Sequence, residues 1–398
     1  MIDKFPVRRV GRFVGTGLLA LLVASLGYGV MGTLLPAIPY LSAGQLLTAF
    51  FGPWIVLLSL AASGLAALLW RRRRRKRHLA IATVAMMAAI GGVVIVAAQV
   101  GAIRASGVGV DLASSLRLGS PTNGGPAPTI RAYGRYEGDA LPLAIYRPAG
   151  PLRRPAPVLV YVHGGGWTSG SYRQRDADMQ WFADRGVLGV SVEYTLSTAD
   201  RHLWAVTQPQ IGCALGWIGA NIGRFGGDPA RVAMIGESAG GNLVINVAYL
   251  ANRHALRPAC PGTPPHVSAV VALYPVIDVA DFYRNDGFGF PLSAKGMASA
   301  YTGGTPAQVP QRYAAVSSAT PISAAAPATV LIVGARDRLV PTGPAFAFVR
   351  KAREAGADVQ LVSVPYAGHA FDFLSGSINN QLTRNMTMRL LEGHGMAP

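Results

Sequence analysis

The chain is 398 residues long, 51% hydrophobic and only 14% charged, with a formal net charge of +17. That is more apolar than an average soluble domain, and the length suits two or three domains or one large domain with an appendage. The charge argues against a nucleic-acid partner because of where it sits: residues 1–103 carry 11 Lys/Arg against Asp3, a net +10, leaving +7 for the remainder.

From Phe13 to Trp70 there is no charged residue and no histidine. The uncharged region divides at "PAIPYLSAGQ" (36–45), whose prolines and polar residues suit a turn. It predicts spans over 13–35 and 46–70, and a third over 79–103 after "RRRRRKR" (71–77). At 1.5 Å per residue each crosses a hydrocarbon core of about 30 Å. Buried core helices are the alternative, but three such stretches in a row have no polar face. A cleaved signal peptide fits the first less well, since no small-x-small cleavage site is followed by a polar start. "VRRVGRF" is a faint match to a twin-arginine signal. Lys4, Arg8, Arg9, Arg12 and the run at 71–77 flank the spans on one side, and the 36–45 loop has no cation. The positive-inside rule therefore places the N-terminus in the cytoplasm and everything after Ile103 on the other face of a bilayer.

Residues 104–128, rich in Gly, Ser and Pro, predict a linker. From Thr129 apolar runs alternate with helical stretches. "YEGDALPLAIYRP" (136–148) predicts a hairpin-like pair, and "APVLVYVHGGGW" (156–167) a strand entering a glycine loop. Further strands are expected near 186–196, 231–238, 267–276, 328–337 and 358–364, with helices between them and a last helix near 377–392. Continuous apolar strands alternating with helices imply an α/β fold: a mainly parallel sheet covered on both faces. About 265 residues can bury a sizeable core.

Gly236-Glu237-Ser238-Ala239-Gly240 fits G-x-S-x-G between a predicted strand and a predicted helix, where a sharp turn lifts a serine hydroxyl above the sheet. A helix-capping serine is the simpler alternative for the pentapeptide alone. His163-Gly164-Gly165-Gly166-Trp167 follows a strand 75 residues upstream. Glycines let backbone N–H groups approach an oxyanion, so Gly165, Gly166 and Ala239 are the candidate donors. Asp337 and His369 follow the next two apolar strands, completing the order Ser, acid, His. A histidine titrates near neutrality and suits a general base; an aspartate fixes its tautomer.

At these residues the chain resembles the α/β-hydrolase superfamily, and more narrowly the hormone-sensitive-lipase-like and carboxylesterase-type esterases with HGGG[FW] and G-[DE]-S-A-G-G. The resemblance covers roughly 129–395. It implies an α/β-hydrolase fold and a Ser238–His369–Asp337 hydrolase of carboxylic esters. It also implies a substrate cap around 277–325, where Phe282, Tyr283, Phe288 and Phe290 either line an acyl pocket or pack the cap onto the core. Glu237 stands where Asp is common, and the membrane unit at 1–103 is absent from typical soluble members.

Domain boundaries are therefore expected at 1–103, 104–128 and 129–398. Expected partners are a small ester and the lipid bilayer; no cofactor or metal site is expected, because no Cys/His spacing fits a metal. Asp184, Asp228 and Asp278 read as caps or turns, Asp278 being the reserve site residue. His202, His254, His266 and His394 read as surface or structural. Cys213 and Cys260, the only cysteines, are a candidate disulfide or two buried thiols. An acyltransferase or envelope deacetylase would use the same residues, and an inactive hydrolase-fold sensor would keep the scaffold.

Overall fold

The computed structural model describes residues 5–38, 40–117, 125–150, 154–285 and 293–397, with side chains from residue 14 onward. The chain forms two compact units, one of residues 1–118 and 365–381 and one of residues 119–364 and 382–398.

In the first unit, α1 (Phe5–Leu34), α2 (Gln45–Arg73) and α3 (Lys76–Ala105) are the three expected apolar helices, each long enough to cross a membrane. Their mutual contacts use small residues: Ala62, Ala66, Ala82 and Ala85 pack around Leu19 and Val23. Small side chains let apolar helices approach closely where no hydrophobic effect drives them together. Leu18, Leu21 and Ile90 instead point outward and are exposed. An outward apolar surface of this kind needs a non-aqueous neighbour. Pro53 sits inside α2, and Phe51 just before it leaves helical geometry (φ −121°, ψ 23°). Proline lacks the N–H that would continue the ladder, so the helix kinks there. Part of the stretch read as linker is fixed in place. Trp54 Nε1 donates to Leu116 O at 3.1 Å, and Asp111 N donates to Gln381 Oε1 at 2.7 Å.

Among the described residues of the second unit, eight strands make one sheet. They are β1 (Thr129–Tyr136), β2 (Asp139–Tyr146), β3 (Ala156–Val162), β4 (Leu188–Val192), β5 (Gly227–Glu237), β6 (Val267–Leu273), β7 (Ala328–Gly334) and β8 (Val359–Val364). Their order is β1-β2-β4-β3-β5-β6-β7-β8. β1 and β2 pair antiparallel at one edge, and all pairs from β4 to β8 are parallel. Every residue of β3 and β7 is buried, which explains their unbroken apolar sequence. Helices α4 (Asp176–Ala183), α5 (Thr207–Asn221), α6 (Ala239–Asn252), α10 (Gly343–Glu354) and α11 (Ile378–Gly393) accompany the strands. Three short helices, α7 (Val279–Arg284), α8 (Ala294–Thr302) and α9 (Pro310–Val316), occupy the stretch read as a cap. This is the α/β-hydrolase arrangement. The chain leaves β3 to one side for β4 and crosses to the other for β5, so the strand order reverses at β3. Ligands of open α/β sheets bind outside the carboxyl ends of strands at such a reversal.

Cys213 in α5 is bonded to Cys260, which follows α6, with their Cα atoms 5.5 Å apart. The bond closes a 47-residue separation and joins α5, the helix before β5, to the loop after α6.

Candidate active site

Ser238 stands where β5 ends and α6 begins, with φ 54° and ψ −117°. A non-glycine residue at positive φ is strained and persists only where its surroundings over-determine it. The surroundings here are specific. Ser238 N donates to Leu273 O at 2.8 Å, anchoring the turn to the end of β6. A Cβ on Gly236 would lie 2.3 Å from Gly240 O, and one on Gly240 would lie 2.2 Å from Val162 O. The turn is thus as tight as backbone permits, which is why both flanking positions are glycine.

The glycine loop runs past the same turn. A Cβ on Gly164 would lie 3.3 Å from Ser238 Cβ and 2.9 Å from Glu237 O. Gly165 and Gly166 have φ of 107° and 60°, which L side chains rarely adopt. A Cβ on Gly166 would run into Met297 of α8, and one on Gly165 into Ser169 O. His163 is fully buried and holds the loop from behind. Its Nδ1 faces Gly164 O at 2.7 Å, its Nε2 faces Glu193 Oε1 at 2.8 Å, and its ring stacks on Tyr194 at 4.2 Å. Trp167, also fully buried, stacks on Tyr301 of α8 at 4.5 Å.

Asp337 lies three residues past β7. Its Oδ1 accepts from Leu339 N and Val340 N, both at 2.9 Å, so the carboxylate is oriented by its own turn. His369 lies five residues past β8, in the segment 365–381 that belongs to the first unit. Ser238, Ala239 and the glycine loop are brought together within the second unit.

The BD-FAE family profile matches residues 143–351, just over half of the chain. The chain belongs to the BD-FAE family. The probable carboxylic ester hydrolase LipM of Mycobacterium tuberculosis is 33% identical over 249 residues, 62% of this chain and 56% of that protein. Esterase LipC of the same organism is 29% identical over 255 residues, 63% of this chain and 62% of that one. The chain thus spans little more than half the length of the curated relatives it matches. Among solved structures, esterase 2 of Thermogutta terrifontis, phosphoramylated by tabun, has a TM-score of 0.57 at 23% identity, covering 68% of this chain and 96% of its own. At that identity the likeness concerns the fold.

One feature of this BD-FAE chain has little signature in the sequence: what lies beneath Ser238. Glu237, in place of the commoner aspartate, is buried and accepts from Tyr161 Oη at 2.8 Å, Tyr274 Oη at 2.9 Å, Gln174 Nε2 at 2.9 Å and Arg175 Nε at 2.9 Å. Arg175 also pairs with Asp178 at 3.2 Å, and Asp178 accepts from Arg384 Nε at 2.7 Å. Burial alone would raise the Glu237 carboxyl. The adjacent Arg175 charge and these hydrogen bonds outweigh it and hold the carboxyl below the ordinary carboxylate range. Burial pushes the neighbouring Tyr161 hydroxyl up, so it stays a neutral donor. The signal available in sequence was only the Glu-for-Asp departure; the Arg175 partner is 62 residues away.

Other expectations resolve locally. Asp278 caps α7, its Oδ1 accepting from Ala280 N and Asp281 N. Asp228 holds a turn through Ala230 N and Arg231. His202 Nδ1 faces Ala300 O, and His394 Nδ1 faces Leu390 O. Phe282 is buried edge-on against Trp167, and Tyr283 packs edge-on against Tyr313, so these two cement the cap. Phe288 and Phe290 lie outside the described residues.

Proposed function

We propose that this chain is a membrane-anchored serine hydrolase of carboxylic esters. The observation that carries the reading is Ser238 at positive φ on the β5–α6 turn, with the glycine loop packed against it. Its relatives LipM and LipC bear ester-hydrolase names, which supports the same chemistry here. In this reading Ser238 Oγ attacks the ester carbonyl carbon while His369 takes the hydroxyl proton. The N–H groups of Gly165, Gly166 and Ala239 receive the developing oxyanion. Collapse expels the alcohol, which leaves with the proton from His369. Water, deprotonated by the same imidazole, then cleaves the acyl-enzyme, and Asp337 holds the ring in the required tautomer.

The cap of short helices, with Met297 against Gly166, suits an uncharged ester with a short to medium acyl chain, since ligand sites are mostly apolar with few polar groups. A series of p-nitrophenyl esters tests this. Acetate to hexanoate should be turned over with a kcat/KM falling at least about tenfold by palmitate. Rates that climb through the longest chains and vanish for acetate and butyrate would sink the substrate assignment.

The domain layout we propose is a membrane unit at 1–103, a connecting stretch at 104–128 and the hydrolase domain from 129 onward. The N-terminus and the 71–77 run lie in the cytoplasm, and the hydrolase domain lies outside. Two observations support this orientation. The segment 365–381 contacts α2 near Gln45 and α3 near Gln99, the ends remote from 71–77. The Cys213–Cys260 bond suits an oxidising compartment. Alkaline phosphatase fused after Ile103 should be active and fused after Arg77 inactive; the opposite pattern would invert the topology.

A further inference from the structure

We propose that the membrane helices are part of the catalytic apparatus: Gln45, Gln99 and the helix ends around them position the loop that carries His369. The idea rests on His369 being the general base.

The segment 365–381 follows the last strand of the hydrolase sheet, yet it packs with α1–α3. Tyr366 lies against the cluster of Leu26, Val30, Ile55, Ala88 and Ile95 drawn from all three helices. Gln99 Nε2 donates to Pro365 O at 3.4 Å. Asn379 Nδ2 donates to Ala49 O at 3.3 Å and meets Gln99 Oε1 at 3.5 Å. Gln45, at the start of α2, presses on Gly368: a Cβ there would lie 2.2 Å from Gln45 Oε1. Gln45, Gln99 and Asn379 are all buried. A buried amide in an otherwise apolar helix is costly and is retained where it has a polar task. The loop needs such support, because Tyr366 and Ala370 on either side of His369 have φ of 60° and 55°. Non-glycine residues hold those angles only when surrounding structure imposes them. Both helix ends grip the chain within four residues of His369, so a shift of either end moves the imidazole.

A general base displaced by about 1 Å costs roughly 100-fold in rate without weakening substrate binding. The test uses the full chain in detergent micelles. Gly368 is not at positive φ, so an alanine there meets only Gln45. Gly368→Ala should lower kcat about 10- to 100-fold with KM within about twofold. Adding Gln45→Ala to it should make room for the new methyl and restore kcat at least about tenfold over the single variant. A structural defect elsewhere would not be relieved by trimming Gln45. A Gly368→Ala enzyme with unchanged kcat, or a loss that Gln45→Ala does not relieve, overturns the positioning role. His369→Ala separates this from the underlying reading. If His369→Ala is inactive and Gly368→Ala is normal, only the positioning role fails. If His369→Ala retains full turnover, the assigned base is wrong and the positioning role falls with it.

Discussion

Ser238→Ala should lower ester turnover by about 10⁴- to 10⁶-fold in a chain that stays folded, and His369→Ala should lower it by a similar factor. The expectation comes from how the residues share one step. The serine is a weak nucleophile until a base takes its proton, and the base has nothing to deprotonate once the hydroxyl is gone. The double variant should therefore lose little more than either single one, whereas independent contributions would multiply. Residual turnover should remain above the uncatalysed rate, because in the proposed mechanism the N–H groups of Gly165, Gly166 and Ala239 would still receive the oxyanion. Ser238 is on a turn whose φ is already unusual, and alanine keeps the Cβ that the turn accommodates. Activity and stability should thus separate cleanly. Steady-state kinetics with p-nitrophenyl butyrate, alongside thermal melts of each variant, check this. Substantial turnover by folded Ser238→Ala would contradict the assignment.

Glu237→Ala should be the most destabilising single substitution near the site, at about 3–5 kcal/mol. It deletes the acceptor of Tyr161, Tyr274, Gln174 and Arg175 at once and takes from the buried Arg175 charge its Glu237 counter-ion. Removing one member of a buried ion pair costs more than the pair itself contributes, because the remaining charge keeps its desolvation penalty. The melting temperature should fall by roughly 10 °C. Glu237→Gln keeps the shape but not the charge, so it separates packing from electrostatics. The pH dependence has a definite sign. The folded-state carboxyl is held below its ordinary value, so its contribution is fully present above the usual carboxylate range. It is lost as pH falls through the lowered folded value. The stability gap between the native chain and Glu237→Gln should therefore be constant from pH 6 upward and narrow on acidification. A gap that stays constant down to acid pH would show that the ion pair does not govern stability.

Much of this was legible in the sequence because it depends on short-range patterns. Unbroken apolar runs such as 158–162 and 330–333 mark strands buried on both faces, and they lie in β3 and β7. The glycines at 236 and 240 announce a turn too tight for side chains, and the backbone leaves no room for a Cβ at either. The three charge-free stretches lie within or along α1, α2 and α3, although α1 begins eight residues earlier, among the N-terminal cations, and α2 and α3 run two to three residues past the uncharged bounds. What sequence did not disclose depends on pairing at long range. Glu237 and Arg175 are separated by 62 residues, and neither has a periodicity that points to the other. Gln99 reaches Pro365 across 266 residues, so assigning 365–381 to the hydrolase domain left out its packing on α1–α3. Aromatic residues in the cap looked equally suited to lining or to packing. Phe282 is resolved by burial alone, which no local pattern encodes.

The central claim is that Ser238 is the nucleophile of an acyl-transfer reaction, and covalent labelling tests it most directly. Only a serine activated by a base attacks the phosphorus of a fluorophosphonate at a useful rate, displacing fluoride and leaving a stable ester on Oγ. The full chain should be treated with such a probe in detergent, digested and mapped by mass spectrometry. The predicted result is one adduct per chain, on the peptide holding Gly236-Glu237-Ser238-Ala239-Gly240, lost in Ser238→Ala and strongly slowed in His369→Ala. An adduct on another residue, or none in a chain that turns over esters, would contradict it.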